Sequence, residues 1–282
     1  MQPLTVADEN DRQRAQERPA AVETTALSRS FGDLVAVDRL DLTVESGVFF
    51  GLLGSNGAGK STTIKMWTTL LPPTSGSARV VGFDIVRRAR SVRRHIGYVP
   101  QMLSADAGLT GRENLMMFAK LYDVPRSERG SRVADALAFM NLGDVGSRLV
   151  RTYSGGMIRR LEIAQALLHR PAVVFLDEPT VGLDPVAKHA VWDKLRELRA
   201  SFGMTVILTT HDMDEAELLC ERIAVMHQGR VVVLGAPADL KAMVGAGATM
   251  NDVFVHFTGG AVDKGGLYRE VARARRTAHR LG

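Results

Sequence analysis

Eight consecutive residues, Gly54, Ser55, Asn56, Gly57, Ala58, Gly59, Lys60 and Ser61, carry the plainest chemistry in the chain. They fit the pattern G-x-x-x-x-G-K-[ST], in which glycines let the backbone wrap a phosphate chain, the lysine reaches the terminal phosphates and the hydroxyl is offered to Mg²⁺. The pattern is short, so its setting decides. An apolar run, Val48 to Leu53, precedes it, and Thr62 to Trp67 can continue as a helix whose positive N-terminal end faces the phosphates. Farther on, Asp177 closes the apolar run Ala172 to Leu176, a position from which a carboxylate can hold Mg²⁺ directly or through water. The adjacent Glu178 can orient an attacking water and accept its proton, and His211, at the end of Leu208-Thr209-Thr210, can reach a γ-phosphate as a hydrogen-bonding sensor. A second phosphate-type site lies at Ser154-Gly155-Gly156, which precedes the periodic run Ile158 to Ala164 and so sits at a helix start with unpaired N–H groups. One triphosphate does not obviously need two such helix starts.

The elements that must position these groups alternate. From Thr24, short alternating segments (Thr25 to Ser28, then Leu40 to Val44) suggest antiparallel strands packed over the nucleotide strand, with Phe31 and Gly32 in the turn between them. Pro72 to Gly76 breaks the chain after the phosphate-loop helix, and Ala78 to Gly82 reads as another strand. The basic run Arg87-Arg88, Arg90 and Arg93-Arg94 follows on a helix, read by default as a solvated face, with a membrane-side or partner contact as the alternative. Ile96 to Gln101 is a short buried strand ended by Pro100. From Thr110 to about Gly155 the pattern is helical, with Leu115, Phe118, Ala119 and Tyr122 on one face and Val133, Ala136, Leu137 and Met140 on another. Strand and helix then alternate to His227, which implies a largely parallel sheet whose ligand lies at the carboxyl ends of the strands. The phosphate loop, Asp177-Glu178 and His211 all fall at such ends.

Composition bounds the setting. A chain of 282 residues with 45% hydrophobic content can bury one large core or two modest ones. Its one cysteine, Cys220, excludes an internal disulfide and reads as a small core residue in a reducing compartment. No apolar stretch approaches the roughly 20 residues that span a bilayer, and the first residues lack the apolar centre of a signal peptide, so the chain is expected to be soluble by itself. A net charge of +5 and a pI near 9.6 permit attraction to nucleic acid or anionic lipid but select neither.

Order and spacing together resemble an ATP-binding-cassette (ABC) ATPase over nearly all of Thr24 to Leu234. GSNGAGKS resembles its Walker A motif, Gln101 its Q-loop glutamine, YSGGM its signature, VVFLDEP its Walker B motif with the following glutamate, Gly182-Leu183-Asp184-Pro185 its D-loop and His211 its switch histidine. The resemblance implies an α/β fold: a P-loop NTPase cassette with a RecA-like core, an antiparallel β subdomain and an inserted helical subdomain at about 102–165. It implies a tail over 1–22, the cassette over 23–235, and a small extension with a basic end over 236–282. It implies ATP and Mg²⁺ as ligands. Gly54 to Thr62 and Gln101 would contact nucleotide, Phe31 would stack on adenine in place of the more usual tyrosine, and Ser61, Asp177 and Gln101 would serve the metal. Lys60, Glu178 and His211 would carry the hydrolysis. Two cassettes would pair head to tail, so that Ser154, Gly155 and Gly156 of one chain meet the nucleotide of the other.

The signature variant, Arg159-Arg160-Leu161-Glu162 after it, and the late segment Met250 to Gly259 are similar to the daunorubicin-resistance type of exporter ATPase. That subfamily is a separate chain docking on a membrane permease, which implies a peripheral place on the cytoplasmic face of the membrane and a drug or other hydrophobic compound as cargo. Met250 to Gly259 is expected to pack on the cassette or to help it dimerise. Nucleic acid is not an expected partner, because DNA-repair cassettes carry long coiled coils or zinc insertions, and this chain has neither sustained heptads nor paired cysteines.

Overall fold

A computed structural model of the chain describes residues 4–5 and 20–259. Among these residues eleven strands form two sheets. The larger contains β1 (Leu4–Thr5), β4 (Phe49–Leu53), β7 (Ile96–Val99), β8 (Val173–Asp177), β9 (Thr205–Thr210), β10 (Arg222–His227) and β11 (Arg230–Gly235), in the spatial order β1-β11-β10-β4-β9-β8-β7. The five strands from β10 to β7 run parallel, β11 turns back antiparallel on β10, and β1 lies parallel to β11. The smaller sheet is antiparallel and comprises β2 (Ala20–Phe31), β3 (Leu34–Glu45), β5 (Ser75–Val80) and β6 (Phe83–Asp84), in the order β3-β2-β5-β6.

Two strand assignments differ from the sequence reading. Residues 1–22 were expected to be a tail, yet Leu4–Thr5 adds a strand to the edge of the large sheet and β2 begins at Ala20, where Ala21 and Val22 are buried against the smaller sheet's core. The phosphate-loop side of the fold is thus braced by a hairpin of two twelve-residue strands. The other residues of the expected tail, and the basic end from Arg269, lie outside the described residues.

Because the parallel strands are buried on both faces, they read as continuous apolar runs, and the period of two sorts their side chains between two cores. Phe49 and Leu53 of β4, Val174 and Leu176 of β8, and Val206 and Leu208 of β9 face one core; Phe50 and Leu52, Val173 and Phe175, and Ile207 face the other. The second core lies under the antiparallel sheet and includes helix α1 (Lys60–Trp67), whose Trp67 is fully buried and donates from Nε1 to Thr24 Oγ1 of β2 at 3.1 Å. After α1, the basic run leads into the short helix α2 (Ala89–His95): Arg87 and Arg88 precede it, Arg90, Arg93 and Arg94 lie on it, and all five are exposed. The first core holds α3 (Gly111–Leu121), α4 (Arg129–Phe139), α5 (Gly155–Leu167), α6 (Pro185–Phe202) and α7 (Met213–Leu219).

Cys220 is buried beneath the strand that feeds the phosphate loop: a Cβ on Gly51 would come within 2.7 Å of its sulfur. Burial raises its thiol pKa well above the ordinary value, in keeping with a core residue. After β11 come α8 (Pro237–Val244) and α9 (Met250–Thr258). Thr249 and Asp252 form a capping box at the start of α9, and Met250, Val253 and Phe254, spaced as one helical face, are buried in the first core. Three such side chains at about 1.5–3 kcal/mol each outweigh a cap of about 1 kcal/mol, so burial is what docks this element.

Candidate functional site

The phosphate loop is a turn between β4 and α1, and its glycines are used differently. Gly59, just before the helix, has φ +103°, and a Cβ there would lie 2.5 Å from the Ala36 carbonyl oxygen of β3. Only glycine permits both that backbone and that approach. The result is a helix start with no side-chain cap, whose N–H groups open into a cavity of about 720 Å³. Phe31, Asn56, Gly57, Ala58, Gly59, Lys60, Ser61, Thr62, Gln101 and Glu178 all line it. Leu34, Val35 and Gln228 line it as well, and these the sequence reading did not single out.

Lys60 is only 4% exposed, so its ammonium needs partners. It donates to the carbonyl oxygens of Gly54 (2.7 Å) and Ser55 (3.1 Å) and lies 3.1 Å from Glu178 Oε1. Glu178 follows the last residue of β8 with φ +50°, an uncommon region for a residue with a side chain. Its N–H is held by both the carbonyl and the hydroxyl of Thr209, on the neighbouring strand β9. Glu178 lines the cavity, and its second oxygen meets His211 Nδ1, a residue outside that lining, at 2.6 Å. Burial alone would push the Glu178 carboxyl upward, but the hydrogen bond from His211 and the Lys60 charge outweigh it and hold the group below the ordinary value. The same bond to Glu178 raises His211, against the opposing effect of its burial.

Ser61 Oγ donates to Asp177 Oδ1 at 2.8 Å, and Thr209 Oγ1 donates to the same oxygen at 2.6 Å. The hydroxyl of the phosphate loop and the carboxylate at the end of β8 therefore present two adjacent oxygen donors, the ligand type that Mg²⁺ takes. Among the described residues no cluster of three or more acidic, histidine or cysteine side chains could hold a metal. A Mg²⁺ bound through phosphate oxygens needs only one or two protein ligands, so the pair fits. Thr209 orders both carboxylates at once; its signal in the sequence is a pair of hydroxyl residues closing an apolar strand.

One side of the cavity is built on β2 and β3. Phe31 ends β2, 46% exposed, and the Arg29 guanidinium sits 4.7 Å from its ring centroid while donating to the Pro72 carbonyl. The Arg29 guanidinium thus covers one face of a ring that remains partly exposed at the edge of the cavity.

Ser154, Gly155 and Gly156 are not in the lining of this cavity. Ser154 caps α5, its Oγ accepting from the Met157 N–H at 3.3 Å, and Ser154 and Gly155 are exposed. Gly156 has a packing reason the sequence did not show: a Cβ there would meet the Ala187 Cβ of α6 at 2.8 Å. The signature helix thus packs directly on the helix that follows the D-loop. Tyr153, at the first position of the signature, is buried and bonds the Val145 carbonyl at 2.7 Å, so its hydroxyl is committed to the helical region.

Two buried acidic groups outside the expected set brace the loops around the cavity. Glu215 of α7 accepts from Thr180 Oγ1 (2.7 Å) and Trp192 Nε1 (2.8 Å), tying the loop after Glu178 to α6 and to the helix after His211; burial raises its pKa. Glu162 of α5 pairs with Arg159 at 3.1 Å, both nearly inaccessible, beside the segment that carries Gln101.

These arrangements agree with what the chain is similar to. The ABC transporter family model (ABC_tran) matches residues 37–181, which run from β3 through the phosphate loop and Walker B strand. The daunorubicin/doxorubicin resistance ATP-binding protein DrrA of Streptomyces peucetius is 47% identical over 226 residues, 80% of this chain and 68% of that protein. The Nod factor export ATP-binding protein I of Sinorhizobium fredii is 45% identical over 220 residues, 78% of this chain and 64% of that protein. Among solved structures, an ATP-binding subunit of an ABC transporter superposes with a TM-score of 0.75 at 30% identity, covering 84% of this chain and 99% of its own. Another, cbiO1 of Clostridium perfringens, part of the ABC transporter complex cbiONQ, superposes with a TM-score of 0.73 at 29% identity, over 79% of this chain and 91% of its own. The chain belongs to the ABC transporter family and is an ATP-binding, ATP-hydrolysing subunit of that kind.

Proposed function

We propose that this chain powers an exporter for a drug or other hydrophobic compound, hydrolysing ATP as a head-to-tail pair docked on a separate membrane permease at the cytoplasmic face. The observation that carries the pairing is the division of the two phosphate-type helix starts. The α1 start opens into the cavity with Lys60, Ser61 and Glu178, while the α5 start at Ser154 is exposed and outside its lining. A second copy presenting Ser154-Gly155-Gly156 to that cavity would complete it. Export is supported by similarity to ATP-binding proteins named for daunorubicin resistance and Nod factor export, and a separate permease by the named membership of cbiO1 in a multi-subunit transporter. No helix among the described residues is long and apolar enough to cross a membrane.

In this reading the triphosphate lies along the N–H groups of α1, and Lys60 exchanges its bond to Glu178 for one to a γ-phosphate oxygen. Ser61 and Asp177 would hold Mg²⁺, which would supply positive charge to offset that of the phosphates. Glu178, ionised and kept in place by Thr209, orients the attacking water and accepts its proton. His211 steadies that carboxylate and contacts the γ-phosphate, and Gln101, which lines the same cavity, contributes a polar contact to the nucleotide. Phe31 holds the adenine ring. The partner's α5 start adds N–H groups to the developing phosphoryl charge.

Because each site needs two chains, specific ATPase activity should rise with protein concentration across the dilute range. Activity that is flat at concentrations where light scattering reports monomers would refute the composite site. Capture of a membrane permease from detergent-solubilised membranes tests the transport assignment, and recovery of a nucleic-acid complex in its place would overturn it.

A further inference from the structure

Arg159 and Glu162 lie one turn apart on α5, the helix that Ser154 begins, and they reach out of it to the Gln101 segment. One arm of the Arg159 guanidinium donates to the Pro100 carbonyl at 2.7 Å and the other to the Gln101 carbonyl at 2.8 Å. The first arm also meets Glu162 Oε2 at 3.1 Å. The other oxygen of Glu162 accepts from the backbone N–H of Ser104, from Ser104 Oγ at 3.1 Å and from the Ala105 N–H at 3.3 Å. Between the two grips the chain bulges outward, with Met102 82% and Leu103 50% exposed. The pair itself is 2% and 1% exposed.

A buried ion pair is a poor device for stability, since apolar replacement is often neutral or stabilising. This one also leaves Arg159 Nε buried without a partner, and burial lowers the guanidinium pKa against the raising effect of Glu162. What the pair does achieve is geometric. A planar two-pronged donor and a two-oxygen acceptor fix both ends of a six-residue loop to one turn of the signature helix.

We propose that Arg159 and Glu162 are positioning residues that clamp the Gln101 loop to the signature helix, so that Gln101 in one nucleotide site moves with the helix start that serves the other. The clamp rests on the reading of Gln101 as a residue of the nucleotide site. It acts through Gln101 and touches neither nucleotide nor metal.

The test is a cycle of variants in the full chain: Gln101→Ala, the apolar pair Arg159→Met with Glu162→Leu, and the three combined. Thermal midpoint, ATP affinity and kcat are measured for each. The apolar pair strips the Pro100 and Gln101 carbonyls and the Ser104 and Ala105 N–H groups of these partners, so it should melt a few degrees below the parent while remaining folded and binding ATP within about threefold of it, and kcat should fall about 10- to 100-fold, the cost of a misplaced site group. Gln101→Ala should lose a similar factor, and the triple variant should lose no more than the larger single effect, because both changes remove the same function. Losses that multiply in the triple variant would overturn the clamp, as would full kcat in the apolar pair beside an impaired Gln101→Ala. Full kcat in Gln101→Ala would overturn the role of Gln101 itself and the clamp with it. Should the apolar pair fail to fold, Arg159→Lys takes its place: it keeps the charge facing Glu162 but cannot span both carbonyls, and the same non-multiplying loss with Gln101→Ala is expected.

Discussion

Replacing Glu178 with glutamine removes one negative charge and leaves the shape of the side chain. That carboxylate meets Lys60 at 3.1 Å and His211 at 2.6 Å. Lys60 keeps its bonds to the Gly54 and Ser55 carbonyls, so the loss to stability should stay at or below about 3 kcal/mol, the low end for a broken buried pair. The same change removes a competitor for the γ-phosphate. One hydrogen bond to a charged group contributes about 1.5 kcal/mol, so ATP should bind about tenfold more tightly. Turnover moves the other way: loss of a positioned general base costs about 10² to 10⁴ in rate, or about 3–5 kcal/mol of barrier. Calorimetric titration with ATP and steady-state phosphate release read the two quantities separately. Turnover within threefold of the parent would remove Glu178 from the chemistry. Weaker ATP binding would refute the competition between carboxylate and phosphate for Lys60.

Two further outcomes follow from the geometry. The folded-state pKa of His211 lies above its ordinary 6.5, so its bond to Glu178 contributes fully below pH 6.5 and fades as pH rises through the raised value. The Glu178 pKa lies below its ordinary 4.5, so that contribution is full above pH 4.5 and fades as pH falls through the lowered value. His211→Ala should therefore destabilise the ligand-free chain most between pH 4.5 and 6.5 and progressively less above, as read by urea melts; a gap that widens with rising pH would contradict the pairing. Gly156→Ala places a Cβ 2.8 Å from that of Ala187 and should cost about 1–3 kcal/mol in thermal stability while leaving ATP affinity of the isolated chain unchanged, whereas an unshifted melt would show that α5 and α6 are not held that closely.

The parallel sheet was legible because its strands, buried on both faces, are unbroken apolar runs, and the groups at their carboxyl ends are short motifs whose spacing survives without the fold. Ser61 meets Asp177, and Lys60 and His211 both meet Glu178, at those strand ends. The smaller sheet was less visible. Ser75 and Gly76 read as the end of a break, yet they open β5: Gly76 has φ +77°, and a Cβ there would lie 2.1 Å from the Ala26 carbonyl oxygen of β2, an approach only glycine permits. Long-range backbone pairing of that kind leaves no periodic trace. Arg159 and Glu162 were noted only as part of a variant signature, since an i,i+3 pair looks the same on a solvated helix as in a buried clamp. Their bonds to Pro100 and Ser104 join segments nearly sixty residues apart, and only the fold brings those together.

The central claim is that the nucleotide site is completed by a second copy of the chain through Ser154. Its most direct test is the solution mass of the Glu178→Gln chain, by light scattering, with and without Mg²⁺ and ATP, alone and combined with Ser154→Arg. The account predicts that ATP doubles the mass of Glu178→Gln, and that adding Ser154→Arg leaves ATP bound to a monomer. A monomer mass for Glu178→Gln at saturating ATP, or an ATP-dependent dimer that Ser154→Arg does not disturb, would contradict it.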